Sequence, residues 1–257
     1  MTTAAIILPA AVVGGSVTIL WLLSLRLRDA SIADIWWGPG FAAIAWSVTL
    51  QQSHASPRLW LASTLLTLWA LRLGAYLARR NLGHGEDKRY QAMRANTPAF
   101  GWVSLFQVFY LQGALQLVVA MPVYAMVSSK APLSVLDVVA VAVTVAGIGL
   151  EAVADAQLAR FKRRGTNSGG VLRSGVWGWC RHPNYFGNAL LWLGLGTLAL
   201  VGGAPWWTAV GPAVMWFLLL KVSGVSLLEQ TIVDRRPEYR RYIAEVPAFF
   251  PNPFRQR

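Results

Sequence analysis

The chain has 257 residues, 55% hydrophobic and 13% charged, and its 23 Lys and Arg against 11 Asp and Glu give a formal charge of +12. An ordinary soluble domain carries about 25% charged residues, so this composition argues against a soluble fold. A single cysteine, Cys180, excludes an internal disulfide, and no Cys/His spacing suits a structural zinc site.

Read in chain order, the sequence holds seven mostly apolar runs of about 18 residues or more, the length that crosses a hydrocarbon core of about 30 Å. They lie at roughly 4 to 25, 32 to 50, 59 to 78, 101 to 127, 133 to 158, 185 to 203 and 206 to 229. Many of the 13 Trp sit at the ends of these runs, where amphipathic rings favour the headgroup level. Pro39 interrupts the second run, Gly194 and Gly196 the sixth, and Lys221 the seventh. The first run lacks a positive flank and a cleavage site followed by a soluble domain, so it is expected to stay as a helix. The predicted fold is an all-α polytopic membrane bundle of seven transmembrane helices, a single transmembrane domain over residues 1 to 257.

Short neutral connections at Gln51 to Pro57, Ser128 to Pro132 and Gly202 to Pro205 alternate with basic ones. The basic segments are Arg26 to Ser31, Arg79 to Pro98, Arg160 to Asn184 and the tail from Asp234. Of the 23 Lys and Arg, two (Arg58 and Lys130) fall on the other face and two (Arg72 and Lys221) within helices, which leaves 19 on one side. The positive-inside rule then puts the amino terminus outside and the carboxyl terminus in the cytoplasm. A basic face of this kind reads as an orientation signal and a contact for anionic membrane lipids, not as a nucleic-acid surface.

Ionisable groups inside a bilayer are costly and tend to face a partner or an interior cavity. Asp34, Arg72, Glu151, Asp155, Lys221 and Glu229, together with Asn188, all fall in the cytoplasmic halves of their predicted helices, which suggests a polar cavity open to the cytoplasm. Glu151 and Asp155 are spaced i, i+4 and share one helix face. Gln107, Gln112 and Gln116 read as packing contacts, since neutral amides commonly serve that role.

The segment from Arg160 to Asn188 reads RFKRRGTNSGGVLRSGVWGWCRHPNYFGN. Its first half joins four cations with Gly165, Gly169 and Gly170, a composition suited to wrapping amides and point charges around phosphates. Its second half mixes aromatic rings with hydrogen-bonding side chains, so residues 160 to 184 form a candidate cytoplasmic cofactor-binding loop. No G-x-G-x-x-G follows a strand and no P-loop is present, so a cofactor site belongs to the helical bundle.

The run LRSGVWGWCRHPNYFGN from Leu172, with LLEQ and PEYRRYIAEVPAFFP in the tail, resembles the carboxy-terminal module of the steroid 5-alpha-reductase-like integral membrane family. D-I-W-W at Asp34, W-A-L-R-L at Trp69 to Leu73 and G-E-D-K-R-Y at Gly85 to Tyr90 are similar to its bacterial branch, so the resemblance touches most of the chain. The element Arg181-His182-Pro183-Asn184-Tyr185 also resembles sterol reductases and isoprenylcysteine carboxyl methyltransferases.

The resemblance implies an oxidoreductase that binds NADPH from the cytoplasmic side of a bacterial inner membrane. It would transfer a hydride to the C=C bond of a lipophilic 3-oxo-delta-4 steroid-like enone arriving from the bilayer. It implies cofactor contacts at Glu151, Asp155, Lys162, Asn184, Tyr185 and Asn188, although the animal enzymes carry a glutamate at the Asn188 position. Arg163, Arg164, Arg173, Arg181 and His182 are our candidates for phosphate contacts, with Arg240 and Arg241 as additions from the tail. Asp34 is the candidate catalytic carboxyl, kept protonated by desolvation so that it donates to the substrate carbonyl, and Tyr76 is the nearest phenol for a second donor.

The alternative is an S-adenosylmethionine-dependent methyltransferase of the isoprenylcysteine type. Such enzymes usually show a Glu-Glu pair where this chain has Glu229 and Gln230. A third reading is a lipid-binding membrane protein in which the pocket persists without chemistry.

Overall fold

The computed structural model describes residues 4 to 164, 170 to 222 and 238 to 254, and its regular structure is all helical. In chain order these are α1 (Ala4–Leu27), α2 (Ile32–Thr49), α3 (Pro57–Asn81), α4 (Lys88–Asn96) and α5 (Phe100–Val119). After a short helix at Met121–Ala125 come α6 (Val135–Arg163), α7 (Pro183–Val201), α8 (Trp206–Val222) and the tail helix α9 (Glu238–Glu245). Five of them, α1, α3, α5, α6 and α7, contain stretches long and apolar enough to cross a membrane, so the chain is an integral membrane protein. At 18 residues α2 carries Asp34 and Pro39, and the apolar helix α8 has fewer residues still.

Some boundaries differ from the sequence expectation for local reasons. The run expected at 101 to 127 breaks after Val119 and restarts at Met121 with Pro122 in its first turn. Proline has no N–H to continue the ladder and is best accommodated at a helix start. Conversely, α6 continues past residue 158 to Arg163, because Arg160, Lys162 and Arg163 are good helix formers and basic residues favour the carboxyl end of a helix. The run expected at 206 to 229 is described as far as Val222, and Glu229 and Gln230 lie outside the described residues.

The chain divides into two compact units. Unit 1 comprises residues 1 to 134 and 198 to 211. Its most extensive helix pairing is α2 with α3. The close approach depends on glycines: a Cβ at Gly38 would stand 3.2 Å from Ala70 Cα, and one at Gly74 would stand 3.2 Å from Pro39 Cγ. Pro39 therefore packs against Gly74 and α2 runs through it without ending. Phe41, Ile44, Leu66 and Trp69 fill the interior beside this contact.

Pro57 and Ser56 start α3, with Ser56 Oγ accepting from Leu59 N at 3.2 Å and donating to Met126 O at 2.7 Å. Arg58, assigned from sequence to the outer face, is 1% exposed, and its guanidinium donates to Ser129 Oγ, Ala131 O and Pro132 O. It ties down a connection whose carbonyls have no helical partner.

Unit 2 comprises residues 135 to 197 and 212 to 257. Here α6 and α7 meet at Gly147 and Gly187: a Cβ on Gly147 would lie 2.5 Å from Gly187 O and from Leu191 N. The backbones touch because neither helix carries a side chain at the contact. Trp216 of α8 donates through Nε1 to Ala189 O at 2.9 Å, which fixes that part of α8 on α7.

Candidate functional site

In unit 2 the glycine contact brings two polar pairs together. Glu151 and Asp155 lie one turn apart on α6, and Asn184 and Asn188 lie one turn apart on α7. Asn184 Nδ2 donates to Asp155 Oδ1 at 3.2 Å, and Asn188 Nδ2 donates to Glu151 Oε2 at 3.4 Å. The two bonds form successive rungs between facing helices. Glu151 and Asp155 are each 4% exposed and Asn188 is 6% exposed. Asn188 Oδ1 is buried and has no hydrogen-bond partner among the described residues. Buried acceptors are rarely left so, because the lost solvation costs about 1–3 kcal/mol. At the same end of α6, Arg163 and Arg164 are exposed.

The segment leading into α7 is held from two sides. Trp177 Nε1 donates to Ala154 O at 3.0 Å and Val176 N to Gln157 Oε1 at 3.2 Å, which pins the turn Gly175–Gly178 to α6. On its other side stands the tail. Arg181, 7% exposed, donates from Nη1 to Ile243 O at 2.9 Å and to Val246 O at 2.6 Å, satisfying carbonyls at the end of α9. Its own N–H donates to Pro247 O at 2.9 Å, and Tyr242 Oη donates to Trp177 O. Arg173 pairs with Glu245 at 2.8 Å, donates to Glu238 O, and lies over the Tyr242 ring. Burial pushes the Cys180 thiol up to about 11, so the lone cysteine is a neutral thiol in this wall.

The candidate cofactor residues therefore separate by what they touch. Glu151, Asp155, Asn184 and Asn188 converge on one ladder, and the His182 ring stacks on Tyr185 with centroids 5.5 Å apart. Arg173 and Arg181 bind the tail, and Arg241 pairs with Glu245 at 2.5 Å. Lys162 and Arg240 are exposed. Gly165 and Gly169 lie outside the described residues.

Asp34 belongs to unit 1, at the start of α2. Its Oδ2 accepts from Arg89 Nη2 at 2.7 Å and its Oδ1 accepts from Tyr90 Oη at 2.6 Å, so both oxygens act as acceptors here and the donor role expected of Asp34 from sequence is not what the geometry shows. Gln112 Nε2 of α5 donates to the same Tyr90 oxygen at 3.2 Å. Burial and the neighbouring Asp34 carboxylate push the Tyr90 hydroxyl well above its ordinary value, so the phenol keeps its proton. For Arg89 burial works against the charge, but Asp34 and Asp87 outweigh it and hold the guanidinium protonated.

The loop that carries Arg89 and Tyr90 is itself anchored. Glu86 accepts from Ala30 N at 2.8 Å and from Arg94 at 2.8 Å and 2.9 Å, and Asp87 caps α4 by accepting from Arg89 N. The phenol paired with Asp34 is thus Tyr90, and Tyr76, the phenol named from sequence, stands half-buried on α3. Tyr90, absent from the residues expected at the site, ends the G-E-D-K-R-Y run. The available signal was an acidic, basic and aromatic sequence placed between two apolar runs.

A protein of Schizosaccharomyces pombe named Uncharacterized protein C594.04c is 27% identical over 276 residues, covering 91% of this chain and 76% of that one. No solved structure matches the chain. The family described as "Protein of unknown function (DUF1295)" matches residues 20–246. That match spans both units, so the chain belongs to this family, which includes steroid 5-alpha-reductase-like proteins.

Proposed function

We propose that the chain is an NADPH-dependent membrane reductase that transfers a hydride to the conjugated C=C bond of a lipophilic, steroid-like enone. In this reading the bundle crosses a bacterial inner membrane seven times, with the carboxyl terminus and the cofactor site on the cytoplasmic side.

The observation that carries the cofactor assignment is the pair of rungs Asp155–Asn184 and Glu151–Asn188, with the unpartnered Asn188 Oδ1 at its buried end. An amide oxygen sealed from water calls for an N–H donor, and a nicotinamide carboxamide offers one. Asp155 and Glu151 orient the two asparagine amides; Asn184 Oδ1 accepts from Tyr185 N at 3.0 Å, which leaves Asn188 Oδ1 as the oxygen that a ligand donor would meet. Exposed Arg163 and Arg164, with Lys162 and Arg240, supply charge for phosphates. The cofactor contributes the hydride. The chain's own residues orient its ring, exclude water and polarise the substrate carbonyl.

The test is consumption of NADPH by purified protein given cholest-4-en-3-one, with Asn184→Ala and Asp155→Asn compared with wild type. Turnover is expected in the wild type and at least a tenfold loss in both variants. Transfer of a radiolabelled methyl group from S-adenosylmethionine without NADPH oxidation would move the assignment to the methyltransferases.

A further inference from the structure

The arm that follows α9, residues 246 to 254, reads VPAFFPNPF and carries no charged side chain. It is held as one piece. Pro247, Pro251 and Pro253 fix their own φ angles. Pro247 O accepts from Arg181 N at 2.9 Å, Asn252 N donates to Trp179 O at 2.9 Å, and Phe254 N donates to Asn252 Oδ1 at 3.2 Å.

The two adjacent phenylalanines of the arm meet different surroundings. Phe249 is 5% exposed and packs edge-on against Phe186 of α7, with centroids 5.5 Å apart, and against Trp216 of α8 at 6.0 Å. Phe250 stands 5.4 Å from Phe249 and 6.0 Å from Phe186, yet it is 65% exposed. Phe254 is 91% exposed, and Trp179, to which the arm is bonded, is also exposed.

The contact with Phe186 gives the level of this patch. The α7 helix is long and apolar enough to cross a membrane, and Phe186 is its fourth residue, about 5 Å along the axis from Pro183. Phe250 therefore stands beside the first turn of a crossing helix, where hydrocarbon gives way to headgroups. Fixed aromatic rings facing water forgo the gain of burial, whereas rings at this depth are stable.

Charge selects the lipid. From Asp234 onward the tail holds six Arg against Asp234, Glu238 and Glu245, an excess of three positive charges. Arg240 is exposed, and the Arg241 side chain is 78% exposed although it pairs with Glu245. Such an excess beside exposed aromatic rings suits an anionic interface.

We propose that residues 246 to 254 form an interfacial foot, in which Phe250, Phe254 and Trp179 insert among the headgroups and upper acyl chains of an anionic phospholipid leaflet while the tail arginines meet its phosphates. Through Pro247 and Arg181 the foot is joined to the segment entering α7, so contact with the lipid also holds the tail on that segment. The proposal is independent of the nucleotide.

Cys180 is fully buried, so a cysteine introduced at an exposed position takes a nitroxide label selectively. The full chain carrying Phe254→Cys is labelled and placed in nanodiscs of phosphatidylcholine with or without phosphatidylglycerol, with His84→Cys in an exposed polar loop as the aqueous reference. The label at 254 is expected to collide with oxygen in preference to an aqueous nickel chelate, the reverse of the label at 84. Removing phosphatidylglycerol should raise chelate access at 254 about fivefold, the effect of one arginine's attraction to an anionic surface. Chelate access equal to that at 84, or equal access in the two lipids, overturns the proposal. So does dipolar broadening between labels at 254 that disappears on dilution with unlabelled protein, because a second copy would then cover the patch. On unmodified protein, a photoreactive phosphatidylglycerol should label the peptide spanning 246 to 254, and its failure to do so contradicts the foot.

Discussion

Asp34 stands out in the sequence because a carboxylate in an apolar run is expensive, but what it does depends on partners the sequence does not place. Tyr90 and Arg89 lie 56 and 55 positions away and reach it because the Glu86 loop folds back to Ala30. Tyr90→Phe leaves the Gln112 amide and one Asp34 oxygen without a partner. It should lower stability by about 1–3 kcal/mol, read as a drop in thermal midpoint in detergent; an unchanged midpoint would contradict the network.

Glu86 gives a pH signature outside the membrane segments. Burial raises its pKa, but the Arg94 guanidinium and the Ala30 N–H outweigh that and hold it below the ordinary value of 4.5. A carboxyl with a depressed folded pKa contributes stability above its unfolded value that is lost as pH falls through the folded one. Glu86→Gln should therefore flatten the acid limb of the stability curve below about pH 4.5 and leave its slope near neutrality unchanged.

At the scale of elements, α1, α3, α5, α6 and α7 were legible as apolar runs of crossing length, because the bilayer imposes that length. Their ends were not, since Pro122 and the basic turn at Arg160 act locally against hydropathy. The i, i+4 spacing of Glu151 and Asp155 was visible as well. Their matching to Asn184 and Asn188 follows from the Gly147 contact, which periodicity alone does not reveal. Gly147→Val would press a side chain into the backbone of α7, where nothing flexible can yield. It should cost about 1–3 kcal/mol and separate the rungs, lowering NADPH affinity along with the thermal midpoint.

The arginine of the Arg181-His182-Pro183 element illustrates the limit of motif reading. Its charge suggests phosphate, whereas its guanidinium faces the carbonyls that end α9. Arg181→Met should release the tail, seen as faster protease cleavage between residues 238 and 254. Cleavage at the wild-type rate would show that the tail is held without it.

For the whole molecule, membrane integration could be read from composition, because few charges over 257 residues leave no soluble alternative. The division into two units could not, since the chain crosses between them near residues 134, 197 and 211 without a polar linker. The distribution of 19 of 23 basic residues (23 less Arg58, Lys130, Arg72 and Lys221) predicts that reporters fused at the two termini respond on opposite sides of the membrane. Reporters that respond on the same side would remove the seven-helix arrangement.

The central claim is that the carboxylate and amide rungs of unit 2 hold NADPH, and calorimetric titration of NADPH into purified protein tests it most directly. Saturable binding that weakens at least tenfold in both Asn184→Ala and Asn188→Ala is the predicted result. Absence of binding, or equal binding by wild type and both variants, would contradict it.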